Sequence, residues 1–203
     1  MRDALGLPDR LKLPVAFDPE RMARDLRALG GADWIGHFLT DRFEGDWDVI
    51  PLRGPKDAIH PVMMIATTPG TKAFADTEAF AACPYLREIV DSFGADIRAV
   101  RLLRLTPGSV LLEHTDHEYT DDDGTVRIHI PVVTNPDVVF LLNGTRVPME
   151  AGSAWVLRLG DPHSVANNGA TDRVHMLVDL TMNPRLEALL REAAYLAAST
   201  AVA

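Results

Sequence analysis

Residues 97–181 contain a series of short segments with strand character, and this series constrains the fold more than any other feature of the sequence. The segments alternate apolar with polar residues or are rich in β-branched residues, and both patterns are typical of β-strands. They are Arg98–Thr106, Val110–His114, Val126–Val133, Val138–Leu142, Arg146–Met149, Ala154–Leu159 and Arg173–Leu180. Seven short strands at this spacing predict a mainly β chain that folds as an antiparallel sandwich or barrel.

Turn signals separate these segments. Pro107-Gly108, Ala151-Gly152 and Asn168-Gly169 all fall between predicted strands. Asn143-Gly144 is the strongest signal, because it joins two apolar runs and a two-residue type I′ turn needs residues that tolerate positive φ. The sequence therefore predicts a tight hairpin at this position.

Helical patterns flank the predicted strands. Asp18-Pro19-Glu20 is typical of a helix start, since Asp caps, Pro suits the first turn and acidic side chains interact favourably with the helix dipole. The apolar stripe that follows ends at Gly30-Gly31. A second helix is predicted from Pro84 to Phe93, and a third is predicted to begin at Asn183-Pro184.

The length of 203 residues suits one domain with a substantial core. Residues 1–96 are expected to form a helical or mixed N-terminal support. Residues 97–181 are expected to form the β core, and residues 183–198 a C-terminal helix.

Composition limits the classes of partner. The formal net charge of −9 is a poor match for nucleic acid or an anionic membrane, although a site on an acidic protein can be locally basic. The single cysteine, Cys83, precludes an intrachain disulfide, and the first residues lack the apolar segment of a signal peptide. A cytoplasmic protein without nucleic-acid or membrane partners is expected, and its oligomeric state is left open.

A candidate metal site lies in the β-rich half. Five of the seven histidines are clustered there, namely His114, His117, His129, His163 and His175. On a strand, His114 and Asp116 point to the same face, so both could bind one metal ion. A second histidine from a distant strand would complete a two-histidine, one-carboxylate triad with open positions for a cosubstrate and dioxygen. On the His-x-Asp motif alone, a capping or packed surface histidine is the better interpretation of His114.

Other residues are weaker candidates for ligands. His117 and Glu118 adjoin the motif, but Asp116 and His117 point to opposite faces of an extended chain. His37 and His60 lie outside the β-rich half and are expected to be ordinary loop histidines.

Two predicted strands carry basic residues on one face and branched apolar residues on the other. Arg173 and His175 share a face, and they follow His163, which comes directly after a Gly/Pro turn. Arg127 and His129 repeat the pattern. An arginine in a barrel mouth needs an anionic partner, and its planar fork suits a carboxylate, so two such strands near a metal would suit a dicarboxylate ligand. Taken alone, Arg173 is interpreted equally well as an exposed strand arginine paired with an acidic residue.

These motifs occur together in one known family. The stretch RLLRLTPGSVLLEHTDHEYTDDDGTVRIHIPVVTN, followed by GSAWVLRLGDPHSVANNGATDRVHMLVDL, resembles the aspartyl/asparaginyl β-hydroxylase family, whose bacterial branch includes the proline hydroxylases. The resemblance covers residues 98–181 and extends more weakly upstream through WIGHFLTDRFEGDWDVIPLRG. The combination is specific: Pro-Gly before His-x-Asp, then Arg-x-His-x-Pro, His-Ser-x-x-Asn, and Arg-x-His with a downstream Asp.

This resemblance implies a double-stranded β-helix (a jelly-roll, cupin-like fold) for residues 97–181 and an Fe(II)- and 2-oxoglutarate-dependent dioxygenase that uses O2. The residues that would bind iron are His114, Asp116 and His163. Arg173 would bind the distal carboxylate of 2-oxoglutarate. Arg127 and His129 would lie at the other end of the cosubstrate or at the substrate. The implied reaction is hydroxylation of an amino acid, an amino-acid derivative or a peptide side chain, of aspartyl/asparaginyl or prolyl type.

The chain departs from the family pattern in some respects. Mammalian members lack the carboxylate ligand, so Asp116 follows the bacterial pattern, and its presence favours hydroxylation over halogenation. Leu103 stands where those members carry a serine, so position 103 offers no hydroxyl to partner Arg173. Related free-proline hydroxylases continue into a longer C-terminal helical region, so the expected substrate need not be proline.

A cupin-like metal-binding protein, either a regulator or an isomerase, is the alternative. His163–Asn167 resembles half of a cupin metal motif. The other half normally contributes two histidines and a glutamate, whereas His114-Thr115-Asp116 lacks the second histidine. Iron-dependent oxygen consumption with 2-oxoglutarate separates the two classes.

Overall fold

A computed structural model describes residues 6–30, 34–58, 60–64, 71–116 and 124–201. The strands in these ranges are β1 (Arg10–Ala16), β2 (Ile35–Gly36), β3 (Phe43–Glu44), β4 (Trp47–Pro55), β5 (Phe74–Asp76), β6 (Ile97–Leu105), β7 (Val110–His114), β8 (Thr125–Val133), β9 (Val138–Leu142), β10 (Thr145–Arg146), β11 (Ser153–Leu157), β12 (His163–Asn167) and β13 (Arg173–Thr181). The helices are α1 (Pro19–Ala28), α2 (Glu78–Ala81), α3 (Pro84–Ser92) and α4 (Pro184–Ala201), with a 3-10 turn at Pro61–Met64.

The strands form two antiparallel sheets. Sheet I has eight strands in the order β1-β11-β8-β13-β6-β4-β2, with β5 paired to β4. Sheet II has five strands in the order β10-β9-β12-β7-β3. From β6 onward the chain alternates between the two sheets, because β6, β8, β11 and β13 lie in sheet I while β7, β9, β10 and β12 lie in sheet II. This alternation is the jelly-roll arrangement.

Two apolar cores hold these layers together. The first lies between sheet I and the helices, where Met176 of β13 packs in the same cluster as Leu86 of α3 and Leu190 of α4. The second lies between the two sheets, with Leu105 of sheet I and Leu142 of sheet II among its buried members. Each sheet I strand therefore places alternate residues in different surroundings.

Strand β13 lies in the middle of sheet I and is buried on both faces. It pairs with β6 on one side and β8 on the other. Val174, Met176 and Val178 face the helices. By strand parity, Arg173 and Asp179 point to the opposite face, toward sheet II. Polar groups in such a position need partners within the protein or in a ligand.

The helix and hairpin predictions are confirmed. Asp18 caps α1 by accepting from the backbone N–H groups of Glu20 and Arg21, and α3 and α4 begin at the predicted prolines. Asn143 and Gly144 have φ values of 51° and 68°, and they join β9 to β10 as a two-residue turn. No helix within the described ranges is both long and apolar enough to cross a membrane.

The prediction of a strand at Arg146–Met149 is wrong, since β10 ends at Arg146. Pro148 has no backbone N–H and cannot continue the ladder. Directly after β10, Val147 is buried and donates one further backbone hydrogen bond to the carbonyl oxygen of Phe140 at 2.9 Å.

Strands also occur in the first 96 residues, which were expected to be a helical or mixed support. The described residues of this part contain five strands, and β1 and β4 are long members of sheet I. Prolines obscure both patterns: Pro14 falls within the register shift of β1, and Pro51 precedes a register shift in β4. Because α1, α3 and α4 share one core with sheet I, we infer that the described residues form a single domain.

Candidate metal centre

A cavity of about 380 Å³ opens between the two sheets. Its apolar wall comes from both sheets and the neighbouring loops, and includes Leu103, Leu111, Phe140, Leu159, Val165 and Leu177. All four side chains predicted to form the catalytic centre line it: His114, Asp116, His163 and Arg173. The cavity therefore brings together residues from β7, β12 and β13 that are far apart in the sequence.

Strand pairing places the two histidines opposite one another. His163 is the cross-strand partner of His114, and their ring centroids are 4.2 Å apart. Asp116 lies two residues beyond the end of β7, where its backbone N–H donates to Leu159 at 2.8 Å. The candidate ligand atoms of His114, Asp116 and His163 all lie within 4.8 Å of one another. This is the donor set of a two-histidine, one-carboxylate iron site.

Backbone carbonyls orient both imidazoles. Nδ1 of His114 is 2.7 Å from the carbonyl oxygen of Leu112, and Nδ1 of His163 is 3.0 Å from that of Asp161. A carbonyl oxygen only accepts, so Nδ1 carries the proton in each ring and Nε2 keeps its lone pair for a metal. Burial lowers the pKa of His163, although its bond to Asp161 acts in the opposite direction, so this ring stays neutral as a metal ligand must.

The carboxylate of Asp116 is held by an arginine. Its Oδ2 accepts from Nη1 of Arg127 at 3.3 Å, while its Oδ1 lies 3.6 Å from Nε2 of His114. One oxygen is thus fixed by the protein and the other faces the candidate metal position. This arrangement suits a carboxylate that binds a metal through one oxygen.

Asp179 anchors two arginines beside the cavity, of which Arg101 is buried and Arg127 is partly buried. Arg127 donates to it through Nε at 2.7 Å and through Nη2 at 3.1 Å, and Arg101 donates through Nη2 at 3.1 Å. Burial alone would raise the pKa of Asp179, but the positive charges of Arg127 and Arg101 outweigh burial and hold the pKa below its usual value. Asp179 is therefore ionised in the folded protein, and it fixes the positions of both guanidinium groups.

Replacing Asp179 by Asn is expected to destabilise the fold by about 3–5 kcal/mol, because it removes the buried carboxylate charge that Arg101 and Arg127 share. The measurement is the free energy of unfolding from chemical denaturation. Asp76→Asn is the matched control, since Asp76 also pairs with two arginines, Arg53 and Arg87, but is exposed. Its loss should cost less than about 1 kcal/mol. Equal losses for the two variants would contradict the role given to Asp179.

Arg173 is buried, and no acidic side chain among the described residues pairs with it. Only 5% of the residue is exposed, and its Nη2 lies 2.9 Å from Nδ1 of His175. Within the part of the chain that the structure describes, no carboxylate pairs with Arg173, and its Nε has no hydrogen-bond partner. Burial lowers the pKa of Arg173 to about 9, so the group is still charged at neutral pH. A buried cation in this state fits an anionic ligand.

His129 has the same need for a partner. Both of its ring nitrogens are buried, and neither has a hydrogen-bond partner in the described ranges. Burial, followed by the charges of Arg127 and Arg173, lowers the pKa of His129 well below its ordinary value, so the ring is neutral. Unsatisfied polar atoms of Arg173 and His129 on one cavity wall fit a polar ligand with more than one oxygen, as 2-oxoglutarate is.

Comparison with known proteins agrees with this geometry. The model of the aspartyl/asparaginyl β-hydroxylase family matches residues 31–183. The chain belongs to this family. A curated relative, L-proline cis-4-hydroxylase from Rhizobium meliloti (strain 1021), is 26% identical over 179 residues, which are 87% of this chain and 62% of the relative. The chain thus spans less than two thirds of the length of that relative.

Solved structures with the same fold include oxygenases. An oxidoreductase of the 2OG-Fe(II) oxygenase family from Burkholderia pseudomallei has a TM-score of 0.54 and 16% identity, covering 85% of each chain. A prolyl-4-hydroxylase from Pseudomonas putida has a TM-score of 0.51 and 16% identity, covering 89% of this chain and 96% of that chain. These likenesses concern the fold, and together with the two antiparallel sheets they confirm the predicted jelly-roll, double-stranded β-helix architecture of this family member.

The structure adds cavity residues that the sequence did not reveal. Arg101 is buried in the cavity wall. Strand β6 carries three arginines, Arg98, Arg101 and Arg104, and the sequence did not indicate which of them faces the cavity. His37 was expected to be an ordinary loop histidine, but it is 7% exposed and stacks on Trp47 with ring centroids 3.5 Å apart. No sequence pattern around His37 indicated that contact.

The alternative ligands His117 and Glu118 lie outside the described residues.

Proposed function

We propose that this member of the aspartyl/asparaginyl β-hydroxylase family is an Fe(II)- and 2-oxoglutarate-dependent dioxygenase that hydroxylates an amino acid, an amino-acid derivative or a peptide side chain. One observation carries the proposal: a His–Asp–His cluster and a buried arginine without an acidic partner in the described ranges line the same cavity. In this proposal the iron ligands are His114, Asp116 and His163, and Arg173 binds the distal carboxylate of 2-oxoglutarate.

Arg173 suits the distal carboxylate better than Arg127 does. Arg127 already pairs with Asp116 and Asp179, so its charge is largely compensated. Arg173 has no such compensation within the described ranges, and its guanidinium can bind a carboxylate through two parallel hydrogen bonds. His129 and Arg127 would then contact the other end of the cosubstrate, or the substrate.

The bound groups supply the oxidising chemistry: with Fe(II) in place, O2 and 2-oxoglutarate yield succinate, CO2 and the oxidant that converts a substrate C–H bond to C–OH. The protein supplies orientation and a dry site. The two imidazoles and one carboxylate would hold the metal and leave its remaining positions to the cosubstrate and O2. Arg127 holds the Asp116 carboxylate in place, and Arg173 fixes the direction of the cosubstrate. The apolar wall around Phe140 and Leu177 limits access of water.

The name of the curated relative suggests a substrate for this chain. L-Proline is the first candidate, because the curated relative is a proline hydroxylase by name. A small molecule of this size fits beside 2-oxoglutarate in a cavity of about 380 Å³. The cytoplasmic location stays a prediction from the sequence.

The test loads the protein anaerobically with Fe(II) and 2-oxoglutarate and then admits O2 in the presence of amino acids and short peptides. Succinate release and product mass are measured. The expected result is succinate release that depends on iron and rises with one class of substrate, which gains one oxygen atom. Chelation of the iron should abolish it. Iron binding without succinate release from any substrate would favour the cupin-like alternative.

A further inference from the structure

His175 is the hydrogen-bond partner that the structure gives to the guanidinium of Arg173. The two residues lie on the same face of β13, and Nη2 of Arg173 is 2.9 Å from Nδ1 of His175. His175 is 1% exposed, so no bulk water competes for this contact. Leu103, the cross-strand neighbour of His175 on β6, offers no polar side-chain atom. The contact with His175 is therefore a buried hydrogen bond at the end of the Arg173 side chain.

The direction of this bond fixes the tautomer of His175. A guanidinium only donates, so Nδ1 must accept and the ring proton must sit on Nε2. Burial, followed by the charges of Arg173 and His129, lowers the pKa of His175 well below its ordinary value, so Nδ1 keeps its lone pair. His175 also lines a second cavity of about 350 Å³, whereas Arg173 lines the first. The hydrogen-bonded pair therefore lies between the two cavities.

We propose that His175 is a positioning residue, which holds the Arg173 guanidinium in the orientation that receives the distal carboxylate of the cosubstrate. The inference rests on the proposed function, since it gives Arg173 a dicarboxylate to bind. Arginine has many side-chain conformations, and a bidentate contact needs one of them. Without His175, Arg173 would keep its charge but lose its fixed direction.

Substitution of His175 by Asn or by Gln distinguishes a role in positioning Arg173 from a role in packing. Asn places its amide oxygen where Nδ1 of the histidine lies, one bond beyond Cγ. Gln places its amide group where Nε2 lies, although its volume is nearer to that of histidine. If His175 only fills space, His175→Gln should be the milder change. If His175 positions Arg173, His175→Asn should be the milder one.

The measurement is a calorimetric titration of Mn(II)-loaded protein with 2-oxoglutarate. We expect His175→Gln to weaken 2-oxoglutarate binding about tenfold or more, which is the effect of losing one hydrogen bond to a charged group. His175→Asn should stay within about threefold of the unmodified protein, since its acceptor survives. Mn(II) affinity should be unchanged in both, and in turnover assays the 2-oxoglutarate KM should change more than kcat. Equal weakening by both variants, or stronger binding by His175→Gln, would overturn the proposal.

A second measurement needs no variant, so it still tests the proposal if both His175 variants fail to fold. Nitrogen-15 NMR of the imidazoles reports which ring nitrogen carries the proton. The ring of His175 is expected to be neutral with its proton on Nε2 at neutral pH. A proton on Nδ1 would contradict the hydrogen bond and with it the positioning role.

The same titration distinguishes this inference from the proposed function. If the unmodified Mn(II)-loaded protein does not bind 2-oxoglutarate, both the function and the role of His175 are wrong. If the unmodified protein binds, Arg173→Lys weakens binding and neither His175 variant does, only the positioning role is wrong.

Discussion

Replacing His114 or His163 by Ala is expected to abolish iron binding and, with it, turnover. Each ring supplies one neutral Nε2, and its orientation is fixed by the carbonyl of Leu112 or Asp161. Loss of partners that merely orient metal ligands costs about 10–100-fold in metal affinity, so loss of a ligand itself should cost more than about a hundredfold. The measurements are anaerobic Fe(II) titration and 2-oxoglutarate-dependent succinate release.

The control for these variants is His60→Ala. His60 is exposed, so the same chemical change there should leave iron affinity and turnover unchanged. Full activity in the His114 or the His163 variant would remove the basis for the proposed triad. If both variants bind iron normally but lose turnover, the metal has other ligands, and His114 and His163 act in the site in another role.

The β-rich half of the fold was predictable because its strand and turn signals come from residues that are close together in the sequence. Alternation of side chains, and turn residues such as Asn143-Gly144 that tolerate positive φ, leave a direct trace in the sequence. The strands of the N-terminal part were not predictable in this way. Pro51 lies within β4, where six of nine residues are buried and none is exposed, and this burial weakens the alternation that would reveal a strand.

The sequence predicted which candidate site residues share a face of a strand, but it did not predict which residues of different strands touch. Strand parity placed His114 with Asp116, and Arg173 with His175, but parity does not say which strands pair. The pairing of His163 with His114 depends on the whole topology of sheet II. The role of Asp179 in binding two arginines was beyond sequence reasoning for the same reason.

The charge distribution explains how an acidic protein can have an anion site. The formal net charge is −9, yet Arg101, Arg127 and Arg173 all line one cavity. Asp179 pairs with the first two, and Arg173 is left without an acidic partner among the described residues. A low-dielectric wall strengthens the attraction of that one cation for a carboxylate.

Replacing Arg173 by Lys is expected to raise the apparent 2-oxoglutarate KM by about ten- to a hundredfold. A guanidinium can bind a carboxylate with two parallel N–H bonds, whereas an ammonium presents a single point charge on a different stem. Charge-assisted hydrogen bonds contribute about 1.5–3 kcal/mol each, and loss of one accounts for this change in KM. Iron affinity should barely change, because Arg173 is not a proposed ligand. The KM and the iron affinity are measured on the same preparation.

Arg104→Lys is the matched control for this substitution. Arg104 lies on the adjacent strand β6, where it donates twice to Asp48, and it does not line the cavity. Its replacement should leave the 2-oxoglutarate KM unchanged. If Arg173→Lys keeps its KM but loses iron, Arg173 is structural and Arg127 is the next candidate for the distal carboxylate.

Burial adds a pH dependence that distinguishes the Arg173→Lys variant from the unmodified protein. Burial lowers the pKa of Arg173 from 12.5 to about 9, so the guanidinium stays charged at neutral pH. The ordinary pKa of lysine, near 10.4, is lower than that of arginine, and the same burial would lower it further. The variant would therefore lose its cation at a lower pH than the unmodified protein, and binding of 2-oxoglutarate would then have to restore a proton. The KM of the variant should begin to rise at a lower pH than the KM of the unmodified protein. Parallel profiles for the two proteins would mean that position 173 does not hold the cosubstrate's charge.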